Sequence, residues 1–206
     1  MKLIIQIPCF NEEATLPLVL KDLPQSLPGI DLIETQIIDD GCSDRTVAVA
    51  RALGVTYVVG GGHEGLGRAF KKGIEHALER GADIVVNTDG DNQYPSRFIA
   101  DLVAPIIAGR ADLVIGNRQT AKIKHFSPVK RFFQWFGSAL TSRLVGQKLP
   151  DAVSGFRAYS RRACIEINVV SRFSYVLDTI VQAVKKGLRI VFVDITTNPK
   201  TRESRL

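Results

Sequence analysis

Short apolar runs alternate with helical patterns through the first half of the chain, and this alternation limits the fold more than any other feature. Apolar runs of about five residues end in polar turns, and amphipathic stretches with helical spacing separate them. We predict strands at 2–7, 35–39, 55–59, 83–88 and 112–116, and helices at 13–23, 43–54, 66–81 and 95–109. Strands that alternate with helices favour an α/β fold with a mainly parallel central sheet.

After residue 117 the pattern becomes less regular. The stretch 123–143 mixes aromatic and basic residues, namely Lys124, Phe126, Lys130, Arg131, Phe132, Phe133, Trp135, Phe136 and Arg143. A helix of this kind can lie at a membrane surface, or it can pack on the sheet with its charges in water. Beyond it we predict a polar loop leading into a short element at 151–163, a helix at 174–187, a last strand at 188–195 and a basic tail. No linker or repeat interrupts this order, which predicts a single domain.

Acidic residues collect at the predicted strand ends. Glu12 follows the first strand, Asp40 closes the second, and Asp89 and Asp91 follow the fourth. The carboxyl ends of parallel strands meet at one edge of a sheet, where ligands bind in such folds. Carboxylates crowded together need a counter-cation, and Mg²⁺ takes a few carboxylate oxygens together with substrate phosphates. We therefore predict that Asp89, Asp91 and Gln93 form half of a metal shell, with capping of the next helix as the alternative for Gln93 alone.

Two other motifs point to different ligands but fit them poorly. GGGHEG, at 60–65, matches the dinucleotide-binding pattern G-x-G-x-x-G, yet it follows the third predicted strand instead of the first. It therefore indicates a flexible loop near phosphate or sugar. DGDNQYPSRFIA, at 89–100, begins like a calcium loop but lacks the glycine at its sixth position and the glutamate at its twelfth.

Charge and cysteine usage narrow the partners and the compartment. The net charge of +6 favours anionic partners such as nucleotides, phosphorylated lipid or an acidic membrane face. A basic nucleic-acid or membrane module without activity explains that charge but not the rim of acids, so we do not expect nucleic-acid binding. Cys9, Cys42 and Cys164 are widely spaced and fit a reducing cytoplasm. The N-terminus reads as a strand and not a signal peptide, and no run of 18 apolar residues occurs.

Five motifs occur in a fixed order and together resemble the motif series of family-2 glycosyltransferases. They are IPCFNEE at 7–13, IIDDGCSDRT at 37–46, NTDGDNQYPS at 87–96, GNR at 116–118 and DAVSGFR at 151–157. The series is similar to the branch of dolichol-phosphate mannosyltransferase and bacterial polyprenyl-phosphate glycosyltransferases. Cys9, Phe10, Cys42 and Gly90 depart from the usual residues, but none of these changes removes a charged ligand.

The resemblance implies a three-layer GT-A fold over 1–206, with a nucleotide-binding half at 1–117 and an acceptor-binding half at 118–206. It further implies a nucleoside-diphosphate-sugar donor and a Mg²⁺ or Mn²⁺ ion. By resemblance, the residues that hold the base and ribose are Pro8, Phe10, Glu12, Ile38 and Asp40.

The same resemblance implies roles at the reacting end of the donor. Asp89, Gly90 and Asp91 are expected beside the ribose and metal, with Asp91 and Gln93 as direct metal ligands. Arg118 and Arg202 match basic positions that reach the donor diphosphate or the acceptor phosphate. A frayed tail is the alternative for Arg202.

The acceptor is expected to be a polyprenyl phosphate, and the reaction an inverting displacement at the anomeric carbon. A lipid phosphate is ionised near neutral pH and needs neutralising cations instead of a base; Lys130, Arg131 and Arg157 are candidates. A sugar-hydroxyl acceptor needs a carboxylate base, for which Asp151 is the candidate; otherwise Asp151 shapes the acceptor loop. Asp91, Arg118 and Asp151 are thus the predicted catalytic residues.

Two other enzymatic functions compete with this prediction. One is a soluble family-2 glycosyltransferase acting on a glycan or another hydroxyl acceptor. The other is a nucleotidyltransferase, which usually carries a Gly-rich basic motif after the first strand, where CFNEE is acidic. Relatives in this branch often continue into C-terminal transmembrane helices, so the chain is expected to be either a short peripheral protein at the cytoplasmic face of the membrane or part of a longer one.

Overall fold

The computed structural model describes residues 1–119, 139, 142–143, 146 and 149–199. Its strands are β1 (Lys2–Cys9), β2 (Leu32–Asp39), β3 (Tyr57–Gly60), β4 (Ile84–Asn87), β5 (Leu113–Asn117), β6 (Arg157–Ser160) and β7 (Ile190–Asp194). Its helices are α1 (Leu16–Lys21), α2 (Thr46–Ala52), α3 (Leu66–Glu79), α4 (Ile99–Ile107), α5 (Arg161–Glu166) and α6 (Val176–Lys185). A single 3₁₀ turn, Ser96–Phe98, leads into α4.

The described strands form one sheet in the order β3-β2-β1-β4-β6-β5-β7. Every neighbouring pair is parallel except those made by β6, which runs antiparallel between β4 and β5. The predicted mainly parallel sheet is therefore confirmed. The sequence analysis did not predict that a strand from the second half would insert into the centre of the sheet.

Helices cover both faces of the sheet and make three layers. One core contains α1, α2 and α4 with alternate residues of β1, namely Leu3, Ile5 and Ile7. The other contains α3, α5 and α6 with Ile4 of the same strand. Because both faces are covered, the central strands are apolar on both sides, which is why they read as continuous apolar runs. Within the described residues, no helix combines the length and apolar character needed to cross a bilayer.

A row of buried amides interrupts the apolar layer under α3. Gln36, Gln6 and Asn87 face one another at the same level of β2, β1 and β4 and form what we call the amide row. Gln36 Nε2 donates to Gln6 Oε1 at 3.2 Å, and Gln6 Nε2 donates to Asn87 Oδ1 at 2.9 Å. Gln36 Nε2 also donates to the Gly73 carbonyl on α3 at 2.7 Å. A Cβ at Gly73 would lie 2.4 Å from Gln6 Oε1, so α3 can pack this closely only with glycine there.

Candidate active site

The carboxyl ends of β1, β2, β4 and β5 meet at one edge of the sheet and bring the predicted acids together. We call this edge the acidic rim. Gly90 packs against the first of these acids, since a Cβ on Gly90 would lie 3.1 Å from Glu12 Cγ and 3.2 Å from Cys9 Sγ. Glu12 is buried, and its Oε2 accepts a 2.7 Å hydrogen bond from the Thr15 hydroxyl. The D-x-D turn and the loop after β1 are therefore in direct contact.

The loop after β1 is held to the loop after β2 by polar contacts. Asn11 has a positive φ of 56°, and its Oδ1 accepts from the Ser43 N–H at 2.8 Å and from the Asp44 N–H at 3.3 Å. The Glu12 N–H donates to Thr46 Oγ1 at 2.7 Å. These bonds position the neighbouring Phe10 ring at the surface of the rim.

The glycine-rich loop 60–65 closes over the end of β2. Asp40 Oδ1 accepts hydrogen bonds from the N–H groups of Glu64 and Gly65, at 2.8 and 3.0 Å. A Cβ at Gly60, where φ is 110°, would lie 2.4 Å from the Asp39 carbonyl oxygen. The glycines thus allow close backbone packing, and Asp40 anchors this loop in the structure.

Two of the residues predicted to hold the base and ribose are placed in contrasting ways. The Phe10 ring is partly exposed and packs on His63 with ring centroids 4.6 Å apart, which leaves an aromatic surface at the rim. Ile38, paired with Pro8 in the sheet, is fully buried beneath α3, and its side chain is not exposed to a ligand.

The D-x-D turn is organised by its own side chains and by the segment after β7. Asp91 Oδ1 accepts from the Gln93 N–H at 3.0 Å, and Asp91 Oδ2 accepts from Gln93 Nε2. Asn198 donates from its N–H to the Gln93 carbonyl and from Nδ2 to the Asn92 carbonyl, both at 2.9 Å. This contact could not be predicted from the sequence, because residue 198 lies in the polar segment after the last strand, far along the chain from the D-x-D turn.

Asp89 lies close to a second acid of the D-x-D turn. Burial and then the nearby charge of Asp91 raise the pKa of Asp89 to about 7; Glu12 adds to this effect, and Arg118 opposes it. Burial and the neighbouring acids thus outweigh the effect of Arg118 and disfavour the ionised carboxylate. Because hard divalent ions bind carboxylate oxygens, the donor set of Asp89 and Asp91 fits Mg²⁺ or Mn²⁺.

Among the described residues, protein side chains alone do not complete a metal-binding site. In the part of the chain that the structure describes, no group of three or more His, Cys, Asp or Glu side chains is arranged to hold a metal ion. Gln93 turns its amide nitrogen toward Asp91, so metal binding through Gln93 stays a prediction. The arrangement fits an ion that takes its remaining ligands from substrate phosphates.

We expect the raised pKa of Asp89 to change how stability depends on pH in metal-free protein. The folded pKa exceeds the unfolded value, so folded protein binds the extra proton between about pH 4 and 7, and this contribution to stability is lost as pH rises through that window. Chemical unfolding at several pH values in chelator should show wild type losing stability relative to Asp89→Asn from pH 5 to 7. A constant difference between the two proteins would show that Asp89 titrates normally.

Arg118 and Asp151 form a two-point ion pair beside the acidic rim. Arg118 Nε donates to Asp151 Oδ2 at 2.7 Å, and Arg118 Nη2 donates to Asp151 Oδ1 at 2.8 Å. The Arg118 N–H adds a third bond at 3.1 Å, and Asp151 is only 1% exposed. Burial disfavours the guanidinium charge, but the hydrogen bond and charge of Asp151 raise the pKa of Arg118. A carboxylate buried in this pair is poorly placed to act as a base, so the geometry favours the loop-shaping role for Asp151.

Arg157 does not have the role predicted for it. The residue is fully buried; Nε donates to the Ser154 carbonyl at 2.7 Å, and Nη2 donates to the Ala152 carbonyl at 2.9 Å. Nη1 donates to the Val176 carbonyl and to Thr179 Oγ1, both at 2.7 Å. The prediction that Arg157 neutralises an acceptor phosphate is wrong, because its guanidinium instead holds the DAVSGFR loop against α6.

The backbone of Gly155 is clamped by three side chains next to Asp89. Its carbonyl accepts from Asn87 Nδ2 and from the Tyr175 hydroxyl, both at 3.1 Å, and its N–H donates to the Tyr94 hydroxyl at 3.2 Å. A Cβ at Gly155 would lie 3.3 Å from Asp89 Oδ1. Asn87 ends the amide row, so the row connects α3 to this contact. Sequence reasoning missed the clamp because nothing in the local pattern around Asn87 indicates a partner in the second half.

Some predicted residues cannot be placed. Arg202, Lys130 and Arg131 lie outside the described residues, as does most of the aromatic and basic stretch 123–143. Of the predicted catalytic and metal-binding residues, the structure places Asp89, Asp91 and Gln93 in the D-x-D turn, with Arg118 and Asp151 paired beside them.

The chain is similar to two known proteins over most of its length. The chain is 28% identical over 207 residues to an undecaprenyl-phosphate mannosyltransferase from Micrococcus luteus, a match covering 95% of this chain and 83% of that protein. It is 27% identical over 205 residues to a polyprenol monophosphomannose synthase from Mycolicibacterium smegmatis, covering 94% of this chain and 76% of that protein.

A solved structure shares the fold. Glucosyl-3-phosphoglycerate synthase from Mycobacterium tuberculosis, in complex with Mn²⁺, UDP-glucose and phosphoglyceric acid, superposes with a TM-score of 0.75 at 22% identity. The match covers 98% of this chain and 72% of that one. The predicted GT-A fold is thereby confirmed. The family model described as "Glycosyl transferase family 2" matches residues 4–167. With most of its length matched by that model and its five motifs at the strand ends, the chain belongs to glycosyltransferase family 2.

Proposed function

We propose that this protein is an inverting, metal-dependent glycosyltransferase that moves a sugar from a nucleoside-diphosphate-sugar to a polyprenyl phosphate at a membrane surface. The observation that carries the proposal is the placement of two carboxylates, Asp89 and Asp91, just beyond the carboxyl end of β4, where burial and the charge of Asp91 raise the pKa of Asp89. The adjacent cation, Arg118, is already bound to Asp151. The names of the two polyprenyl-phosphate relatives support the acceptor class.

The donor half is assigned to residues 1–117. The exposed Phe10 ring offers a surface on which a base can pack, and Glu12 and Asp40 lie at the same rim, where carboxylates can accept from ribose hydroxyls or base N–H groups. Asp89 and Asp91 would hold the Mg²⁺ or Mn²⁺ ion together with the donor diphosphate. When bound, the ion stabilises the negative charge that develops on the leaving nucleoside diphosphate.

The acceptor half is assigned to residues 118–206. An oxygen of the acceptor phosphate forms the new bond to the anomeric carbon while the bond to the diphosphate breaks on the opposite face, which inverts that carbon. The phosphate is already ionised near neutral pH, so this step releases no proton and needs no base. The burial of Asp151 in its pair with Arg118 favours this acceptor over a sugar hydroxyl, which needs a free carboxylate.

We also propose that the protein works at the cytoplasmic face of the membrane. Cys9, Cys42 and Cys164 are all free in the structure, in keeping with a reducing compartment. The net charge of +6 suits an anionic membrane face and anionic substrates.

One assay tests the proposed function directly. GDP-mannose, UDP-glucose and UDP-GlcNAc are each incubated with polyprenyl phosphate and Mn²⁺ or Mg²⁺, and the released nucleotide and the anomeric configuration of the product are measured. We expect one donor to give a polyprenyl-phosphate sugar of inverted configuration, with no product in chelator or with dephosphorylated polyprenol. Transfer to a simple sugar but not to the lipid phosphate would replace this proposal with the hydroxyl-acceptor function.

A further inference from the structure

The loop between α5 and α6 presents large apolar side chains to solvent. Phe173 is 92% exposed, Val170 is 78% exposed, and Leu177, in the first turn of α6, is 43% exposed. The Val170 N–H donates to Asp178 Oδ2 at 3.1 Å, which folds this loop back against the first turn of α6. These three exposed side chains belong to one continuous segment, 170–177, and we call them the apolar tip.

The backbone beneath the apolar tip is held in place. The Gly67 N–H donates to the Arg172 carbonyl at 3.0 Å. A Cβ at Gly65 would lie 2.6 Å from the Arg172 carbonyl oxygen, and one at Gly67 would lie 2.0 Å from the Ser171 carbonyl oxygen. The two glycines at the start of α3 thus allow the loop to sit directly on that helix. Because its backbone is fixed at both ends, the exposure of Val170 and Phe173 is a built feature of the fold.

Basic residues lie in the loop and on the helix beneath it. Lys72 Nζ lies 2.7 Å from Glu64 Oε1, and Arg68 Nη1 lies 3.9 Å from Glu64 Oε2. Arg172, within the loop, is exposed, and its charge also acts on Glu64. Three cations, Lys72, Arg68 and Arg172, stand against two acids, Glu64 and Asp178, so these five side chains carry a net charge of +1.

The apolar tip is joined to the acidic rim by a short path. Arg172 contacts Gly65, and the N–H groups of Gly65 and Glu64 donate to Asp40 at the end of β2. A surface that docked on the apolar tip would therefore lie beside the donor end of the site.

We propose that the apolar tip inserts into an anionic lipid surface and presents the acidic rim to a lipid-borne acceptor. The presentation of the site to a lipid-borne acceptor rests on the proposed function, whereas the binding of the apolar tip to lipid does not. Aromatic and aliphatic side chains together with Arg and Lys match the composition of interfacial membrane anchors. A protein partner fits less well, because a standard interface takes about 20–30 residues from each side, whereas three apolar side chains form this tip.

Vesicle co-sedimentation of the full chain tests the docking. Wild-type protein should bind phosphatidylcholine vesicles that contain phosphatidylglycerol. High salt should weaken this binding, and leaving out the phosphatidylglycerol should weaken it further. The double variant Val170→Ser/Phe173→Ser should bind these vesicles at least about tenfold more weakly than wild type, since two inserted apolar side chains are lost. Leu18→Ser, which removes a leucine 47% exposed on α1 in the opposite helix layer, should bind as wild type does. Equal binding by the double variant, or no binding by wild type, would overturn the proposal.

A second measurement separates this proposal from the proposed function. The double variant should transfer sugar to a short-chain, water-soluble polyprenyl phosphate at the wild-type rate, but should lose most of its transfer to acceptor held in vesicles. An equal loss with both acceptors would place Val170 and Phe173 in the substrate site and contradict the docking role. If wild type binds vesicles through the apolar tip but transfers to neither acceptor, the docking stands and the proposed function fails.

Discussion

Asp91→Asn is expected to lower kcat/KM for sugar transfer by about 10²–10³-fold or more, the range seen when a preorganised charge-stabilising group is removed. The substitution keeps the shape of the side chain, removes its negative charge and replaces one carboxylate oxygen with an NH2 donor. The remaining Oδ1 can still accept from the Gln93 N–H, so the turn keeps one of its two bonds to this side chain. Steady-state kinetics with varied Mn²⁺, together with titration of Mn²⁺ in the presence of the nucleoside diphosphate, measures both consequences. The expected result is a large loss of metal affinity with an unfolding midpoint close to that of wild type.

The control for this variant is Asp101→Asn. It removes the same charge from an exposed side chain in the first turn of α4, outside the D-x-D turn. Its kcat/KM should stay within about twofold of wild type, since a screened surface charge contributes little at a distance. Wild-type kinetics in Asp91→Asn would remove Asp91 from the site, and an equal loss in both variants would point to a general effect of charge.

The elements of the first half of the chain could be predicted because their patterns are local. The apolar run at 2–7 and the amphipathic helix at 66–81 each carry enough information in their own residues, and the structure places β1 and α3 there. β6 could not be predicted as a central strand, because Arg157–Ser160 is four residues long and begins with a charged side chain. Arg157 is tolerated at the centre of the sheet only because carbonyls of its own loop and of α6 accept its hydrogen bonds.

The candidate site follows the same division. That Asp89 and Asp91 would lie at one edge with Glu12 follows from a general rule for parallel strands, so their meeting could be predicted from sequence. The pairing of Arg118 with Asp151 could not, since the two residues are 33 positions apart and only the fold brings them together. The sequence alone does not reveal whether a charged side chain can bind a ligand or is already held in an ion pair or hydrogen bonds within the protein. For Arg157 that distinction reversed the predicted role.

Asp151→Ala is expected to destabilise the protein by about 3–5 kcal/mol, the usual cost of removing one partner from a buried ion pair. Without the carboxylate, the largely buried Arg118 loses two side-chain bonds at 2.7 and 2.8 Å, and its charge stays in a poorly solvated place. Urea unfolding followed by circular dichroism should show a lower midpoint with an unchanged slope, as expected for a loss of stability without a change in compactness.

The same variant separates the two roles considered for Asp151. A general base makes its contribution in the transition state, so its removal would lower kcat at unchanged stability and would flatten the acid limb of the pH–rate profile. A loop-shaping residue acts through Arg118, so Arg118→Met/Asp151→Ala should recover part of the stability lost in Asp151→Ala, because the buried guanidinium charge is then removed together with the carboxylate that pairs with it. If the double variant recovers stability, the ion pair between Arg118 and Asp151 is structural. If instead Asp151→Ala loses kcat while it keeps the wild-type unfolding midpoint, Asp151 acts as a general base and the acceptor is a hydroxyl group.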